Sequence, residues 1–433
     1  MLELPPKIDL NTDGIIELMV SQDMAGNLRP IINEYLYWDK VKYKARDCKP
    51  EELWACIKLY RRIRSTNLSF GKYHFSFTLT DTMQQLLHEF DLHIGGNLSS
   101  NIGISEKDKT KFMVNSIMEE AISSSQIEGA VTTRKKAKEM IRQEKKPRNK
   151  SEQMILNNYL TMRHIVEHKE ETLTQERMLR IHSLMTAGTL DGKADEGAFR
   201  DGDDVYVVNH INSEVVHTPP SHNELDGLMG YLCMFFNQES DPFIHPIIKG
   251  CIIHFMIGWL HPFADGNGRT ARALFYWYML KNGYWLTEFL SISRIIQDTK
   301  AQYEKAYLYA ENDGNDLGYF IHYHLKTMDK AYAALKAYIN RKQREVSQAA
   351  AFMKLPGVND RTAQIIKIIY DDGDRVLTAK EIANLFNVSH FTARADLKSL
   401  QDLGFLEAVQ VNKQKKNYIK SKNFGKLTGQ LKN

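Results

Sequence analysis

The stretch from Ile247 to Phe263 sets the strongest limit on what this chain can fold into. Within it, Ile247–Leu260 is apolar almost all the way round, which reads as a central helix buried on every side. Lys249, His254 and His261 interrupt the stretch, so it is too short and too polar to span a bilayer. A second helical run, Thr270–Lys281 (TARALFYWYMLK), follows and ends at Asn282-Gly283, a favourable C-cap pair. Two buried helices in such close succession define the centre of a helical core. The composition agrees: 43% apolar and 25% charged residues exclude a largely disordered chain.

The residues joining the two helices, His261–Arg272 (HPFADGNGRTAR), carry the chemistry. Pro262 ends the first helix because it lacks an N–H and restricts its neighbour. Gly266 and Gly268 permit a tight turn and a close approach of backbone N–H groups to a ligand. The second helix then begins with its positive dipole end facing the loop, an arrangement suited to phosphate. Arg269 and Arg272 are three residues apart on that helix and share a face. Asp265 is a hard oxygen ligand of the kind that holds Mg²⁺ against phosphates. His261 has the ring chemistry of a general base. A phosphate cradle, a metal ligand and a base within 12 residues point to nucleotidyl or phosphoryl transfer. The Walker pattern of an ordinary ATPase is not what this stretch spells. His254 reads as a buried structural histidine.

Other helices show as stripes: Val114, Ile117, Met118, Ala121 and Ile122 in one, Met178, Ile181, His182, Leu184 and Met185 in another. Strand signals are few. Asp204–Val208 and Glu214–Thr218 flank a polar turn, Asn209–Ser213, and stop at Pro219-Pro220, which reads as one β-hairpin leaning on a helical body. Tyr37, Trp38, Tyr43 and Trp54 read as packed core. Four cysteines without C-x-x-C spacing read as free thiols in a reducing cytoplasm. The N-terminus lacks the pattern of a signal peptide, and the expected location is cytoplasmic.

HPFADGNGRTAR matches every fixed position of H-x-F-x-[D/E]-G-N-G-R-x-x-R, the signature of the Fic family. The chain resembles that family from about 172 to 332, including GAFRDGDDVYV (Gly197–Val207) and the hairpin after it. The resemblance implies a mainly α fold: a Fic (Fido) helical core with a β-hairpin flap. It implies transfer of AMP from ATP to a Ser, Thr or Tyr hydroxyl of a target protein, releasing pyrophosphate. In that reading His261 deprotonates the hydroxyl, Phe263 anchors the loop and Asp265 holds Mg²⁺. Gly266, Asn267 and Gly268 line the anion hole, Arg269 binds the β-phosphate and Arg272 the γ-phosphate. Tyr303 and Asn312 resemble the family's adenine-side residues. The flap, with Val205, Tyr206, Val207, Val208, Val215 and Val216, clamps the target by strand addition.

Upstream, Ser124 and Glu128 in SSQIEG (Ser124–Gly129) lie four residues apart on a helix face, with Gly129 at a C′ position. On its own Glu128 reads as a solvated charge near a helix end. The stretch is similar to the family's inhibitory motif, [S/T]-x-x-x-E-[G/N]. That resemblance implies that Glu128 pairs with Arg272, takes the place of the γ-phosphate and blocks in-line attack. In some relatives the same glutamate also serves AMP removal, so a bifunctional enzyme is one form the activity takes.

From Arg361 onward the chain has 13 Lys/Arg and 7 Asp/Glu, a charge of +6 within a total of +4, so the rest carries −2. Thr378 and Glu381 open a helix, Ala379–Phe386, with a capping box. Ser389 starts a second helix, closed by Gly404. The runs Phe405–Val411 and Asn417–Lys420 flank a basic turn. This resembles a winged helix-turn-helix. His390, Thr392 and Arg394 would face a DNA groove, and Lys413, Lys415 and Lys416 would meet phosphates; a protein-docking role is the alternative.

At about 150 residues per domain, 433 residues suggest three domains. The expected division is a helical N-terminal extension (1–110), a core (111–335) with the inhibitory helix at about 111–129, a linker (336–360) and the winged helix (361–433). Two competing functions stay open: a DNA-binding regulator whose core only senses nucleotide, and an enzyme moving phosphocholine, UMP or a terminal phosphate. A homodimer is likewise open.

Overall fold

The computed structural model describes residues 2–8, 14–24, 26–95, 106–208, 215–284, 287, 290–386, 388–410 and 416–429, with backbone alone at 24, 106–112, 208 and 342–351. They form two compact units, Met1–Ala333 and Ala334–Asn433. Among the described residues no helix is long and apolar enough to cross a membrane, and all four cysteines are free.

The first unit is built around the two helices expected from the sequence, Pro246–Leu260 and Asn267–Lys281, packed against each other. Pro246 sits at the first position of its helix, where its missing N–H costs nothing, and the His245 ring accepts from the N–H of Ile247 at 3.2 Å. Nearly every side chain of both helices is buried, including His254. Around them lie helices Glu106–Ile127, Lys150–Glu167, Gln175–Thr186, Leu225–Asn237, Ile292–Asp298 and Lys300–Asn312. Asn149 and Thr174 each accept from the third helical N–H and so fix where two of these helices begin. The two expected stripes face inward, with Val114 and Leu184 half-buried at their edges.

The N-terminal extension belongs to the same unit as the core. Arg61, on helix Pro50–Arg64, is buried between the rings of Tyr35 and Tyr319. It donates to the Tyr319 hydroxyl at 2.6 Å and lies 3.5 Å from Asp316 and 3.6 Å from Asp313. Both carboxylates sit just before the long helix Gly318–Phe352. Tyr37, Trp38 and Trp54 are buried as expected, but Tyr43 is 78% exposed. A second antiparallel hairpin, Thr66–Phe70 with Tyr73–Phe77, was not among the expected strands. Phe70, Phe75 and Phe77 are its buried side chains, and Phe75 packs edge-on to Trp259 at 5.1 Å.

The flap hairpin is shorter than expected: Val207–Val208 pairs with Val215–His217 across an irregular register. Val205 and Tyr206 precede it without strand pairing, after Asp203. Its carboxylate accepts from the His222 N–H and the Ser221 hydroxyl and pairs with Arg200. The expected turn, Asn209–Ser213, and Glu214 lie outside the described residues.

In the second unit the expected linker is helical as far as Phe352, and Phe352 and Leu355 are buried in the C-terminal core. That core is completed by Ile365, Ile366 and Ile369 of helix Asp360–Asp371, together with Leu377, Ile382, Leu397, Leu400 and Tyr418. Helices Ala379–Phe386 and His390–Asp402 follow as expected, the second capped by Ser389. The wing strands Leu406–Gln410 and Lys416–Lys420 pair, and a short strand, Leu377–Thr378, adds to the second of them.

Candidate active site

His261 ends the first central helix in the left-handed region, at φ 45° and ψ 55°. The next residue is proline and offers no N–H, so the helix cannot continue. The loop is then closed on itself. The Phe263 N–H donates to Oδ1 of Asn267 at 2.9 Å, and Nδ2 of Asn267 donates to the Phe263 carbonyl at 2.8 Å. Phe263 is fully buried and lies flat on the His182 ring, with centroids 3.8 Å apart. His182 accepts from the Gly197 N–H at Nδ1, so its Nε2 carries the proton and donates to the Asp265 carbonyl at 2.8 Å. Burial brings its pKa down to about 4, in keeping with a neutral ring.

The turn into the second helix requires glycine twice. Gly266 has φ +87°, and a Cβ there would lie 2.9 Å from Thr186. A Cβ at Gly268 would lie 2.2 Å from Oε1 of Glu128. The first N–H groups of helix Asn267–Lys281 have no partners within the helix. Arg269 is buried and donates to the Met185 carbonyl at 3.1 Å, while its Nε and second terminal nitrogen have no hydrogen-bond partner among the described residues. Burial lowers its pKa. Two of Arg272's nitrogens are engaged: Nε donates to Oγ of Ser124 at 2.8 Å, and a terminal nitrogen donates to the Ser124 carbonyl at 3.0 Å and to Oε1 of Glu128 at 2.9 Å. Its other terminal nitrogen is buried without a hydrogen-bond partner among the described residues. Orphaned guanidinium N–H groups beside a helix N-terminus are what an anion of several oxygens satisfies. Asp265 is half exposed at the rim, with one oxygen accepting from the Gly266 N–H at 2.5 Å and the other 3.7 Å from Arg269. A hard, accessible oxygen beside an anion cradle fits Mg²⁺, which takes one or two carboxylates plus phosphate oxygens.

Glu128 is delivered by helix Glu106–Ile127. Gly129 closes that helix at φ +91°: its N–H donates to Gln126 O and the Ala130 N–H to Ser125 O, the two bonds of a Schellman turn. Burial pushes the Glu128 carboxyl up, but Arg272, aided by Arg269 and Lys300, outweighs it and holds the pKa below the usual range. Two turns earlier on the same helix, Glu120 was not singled out from the sequence. It is buried and accepts from Tyr276 Oη at 2.8 Å, Ser291 Oγ at 3.1 Å, the Ser293 N–H at 3.1 Å and the Ser293 hydroxyl. Its spacing of eight from Glu128 was a signal available in the sequence. Arg200 was also passed over. It donates to the carbonyls of His261 and Pro220 and pairs with Asp203.

The structure thus gathers His261, Asp265, Gly266, Asn267, Gly268, Arg269, Arg272, Ser124 and Glu128 in one place. Asn267 turns its side-chain amide onto the loop backbone. Tyr303 points its hydroxyl at His254 Nε2, 3.0 Å away, and His254 in turn meets His324 at 2.9 Å. Asn312 is exposed at the end of its helix, and no described contact ties it to the cradle. In the C-terminal unit, Thr392 is spent on the cap, with its N–H and hydroxyl on Ser389 at 3.0 and 2.8 Å. The outward face of helix His390–Asp402 carries Phe391, Arg394, Ala395 and Lys398, and His390 is exposed at its start. Lys416 is exposed; Lys413 and Lys415 lie outside the described residues.

The first unit is a mainly helical domain with a cradle for a polyanion, a histidine at its edge and a short β-hairpin. Residues 172–279 match the Fic/DOC family and residues 361–420 an HTH domain. The chain therefore carries a Fic/DOC-family domain followed by an HTH domain. The protein adenylyltransferase Fic of Culex quinquefasciatus is 32% identical over 117 residues, 27% of this chain and 21% of that one. Its counterpart in Drosophila virilis is 31% identical over 134 residues, 30% of this chain and 25% of that one. The chain thus spans about a quarter or less of the length of these relatives. A Fic family protein from Desulfovibrio desulfuricans G20 superposes with a TM-score of 0.50 at 20% identity, covering 80% of this chain and 98% of that one. Fic-1 from C. elegans gives 0.51 at 18%, covering 76% and 88%. The fold is that of the Fic proteins.

Proposed function

We propose that the first unit transfers AMP from ATP to a hydroxyl of a protein and that Glu128 holds this activity in check. The observation that carries the reading is the pair of buried arginines at the head of helix Asn267–Lys281, with unpartnered guanidinium N–H groups and a carboxylate across one of them. ATP would lie with its phosphates over the helix N-terminus. The hydroxyl oxygen attacks the α-phosphorus, His261 takes its proton, and the bond to the β-phosphate oxygen breaks to release pyrophosphate. Mg²⁺ held by Asp265 would neutralise phosphate charge. Arg269 and Arg272 supply fixed positive charge where the leaving group develops its own. With Glu128 on Arg272, the γ-phosphate and the carboxylate compete for the same guanidinium, and the α-phosphate loses its in-line placement.

In the Glu128→Gly chain, ATP labelled at the α-phosphate should mark a protein band, and ATP labelled at the γ-phosphate should not. Label from the γ-phosphate alone would replace AMP transfer by phosphoryl transfer. His261→Ala should abolish the α-label while nucleotide still binds; full activity would remove His261 from the role of base. A cytoplasmic setting is part of this reading, since the four thiols stay free. For the second unit, the exposed Arg394 and Lys398, within a segment of +6, support contact with DNA.

A further inference from the structure

Pro262 and the turn at His261 leave the last carbonyls of helix Pro246–Leu260 without helical partners. Each finds a donor. Gly258 O faces Nδ1 of His261 at 3.2 Å, and Trp259 O faces Nε2 of His217 at 2.7 Å. His261 O accepts from Nε of Arg200 at 3.0 Å, and Pro262 O accepts from the Arg200 N–H at 2.9 Å. Arg200 precedes the flap, and His217 is the last residue of its returning strand. Both roots of the flap are therefore tied to the helix end that carries His261.

The second nitrogen of His217, Nδ1, lies 2.8 Å from Oε2 of Glu311. Both ring nitrogens thus face acceptors, a carboxylate and a carbonyl, the arrangement that a ring with an N–H at each nitrogen satisfies. A cation suits this position. It is 8% exposed, has a carboxylate at one end and meets the negative end of a helix dipole at the other. Glu311 reaches it because Gly258 has no side chain: a Cβ there would lie 2.5 Å from the Tyr307 hydroxyl. Tyr307 can thus lie on Phe255, ring to ring at 4.9 Å and 17°, and Glu311 follows one turn later on helix Lys300–Asn312.

We propose that His217 and Glu311 form a charged clasp that fixes the flap on the His261 helix, making His217 a positioning residue for the acceptor hydroxyl. The proposal rests on the AMP-transfer reading for its functional meaning. A segment added to the flap edge is held by its backbone, so the flap's seat decides where the hydroxyl stands relative to His261. A displacement of about 1 Å costs on the order of a hundredfold in rate. The clasp also bears on the base. Burial lowers the pKa of His261; His217 and Arg200 lower it further, against the opposing effect of the Gly258 carbonyl and Glu128.

The test uses the full chain, with Glu128→Gly as the active parent, and adds His217→Gln, Glu311→Ala or Glu311→Gln. His217→Gln and Glu311→Ala should lower transfer of α-labelled AMP by about tenfold or more, with ATP affinity within about twofold of the parent. Glu311→Gln keeps an acceptor for the ring and should fall between. In His217→Gln the acid limb of the pH profile should move upward, since a positive neighbour of His261 is gone, whereas a merely structural loss would leave it in place. Hydrogen exchange at 215–218, read by mass spectrometry in the same chains, should quicken in His217→Gln and Glu311→Ala. Unchanged exchange in both overturns the clasp. If the Glu128→Gly parent transfers nothing, the functional reading fails, and exchange still decides the clasp by itself.

Discussion

His261 is placed by backbone before chemistry. A left-handed cap followed by proline turns its ring out of the helix, and the loop behind it is fastened by Asn267 and Phe263. Burial lowers its pKa below the ordinary histidine value. A base must be unprotonated to act, so a lowered pKa widens the working range on the acid side. Transfer by the Glu128→Gly chain should therefore hold level through neutral pH and fall only below the ordinary histidine range, near 6.5. A decline that begins above pH 7 would contradict this. Phe263 makes the matching stability prediction. It is fully buried against His182 and Phe199, and Phe263→Ala should cost roughly 3–5 kcal/mol in a denaturant titration of the first unit. A loss under about 1 kcal/mol would mean that the loop is not anchored there.

At the scale of elements, helix Glu106–Ile127 is held by two carboxylates eight residues apart, Glu128 on Arg272 and Glu120 among Tyr276, Ser291 and Ser293. Burial raises the pKa of Glu120. Glu120→Gln should weaken the helix's seat by about 1 kcal/mol, which is roughly fivefold more open enzyme and a matching rise in AMP transfer. Transfer unchanged from wild type would show that Glu128 alone sets the helix's position. The two central helices and the loop between them were legible in the sequence because Pro262, two glycines and unbroken apolar runs leave few alternatives. Ser124 and Glu128 were legible as a face, but nothing local says which arginine they meet. Glu120 shares a helix face with Glu128, but neither it nor His217 shows in the sequence which partner, 156 or 94 residues away, it meets. The Thr66–Phe77 hairpin was missed although Phe75 and Phe77 alternate with polar residues, because its packing face is supplied by Trp259 and Phe255 far along the chain.

Across the whole molecule the charge is divided: residues 1–360 carry −2 and residues 361–433 carry +6. If the tail binds duplex DNA, affinity measured on the full chain by fluorescence anisotropy should fall steeply with salt. Lys398→Ala should flatten that slope by about one charge if the lysine meets a phosphate, and no binding at low salt would leave the tail a protein-docking module. The central claim concerns the first unit: Arg269 and Arg272 cradle a triphosphate, and Glu128 competes with it. Incubating wild type and Glu128→Gly with α-labelled ATP and a cell lysate, then comparing labelled protein bands, tests it most directly. The account predicts strong labelling by the variant and little by wild type; equal labelling, or none by either, would contradict it.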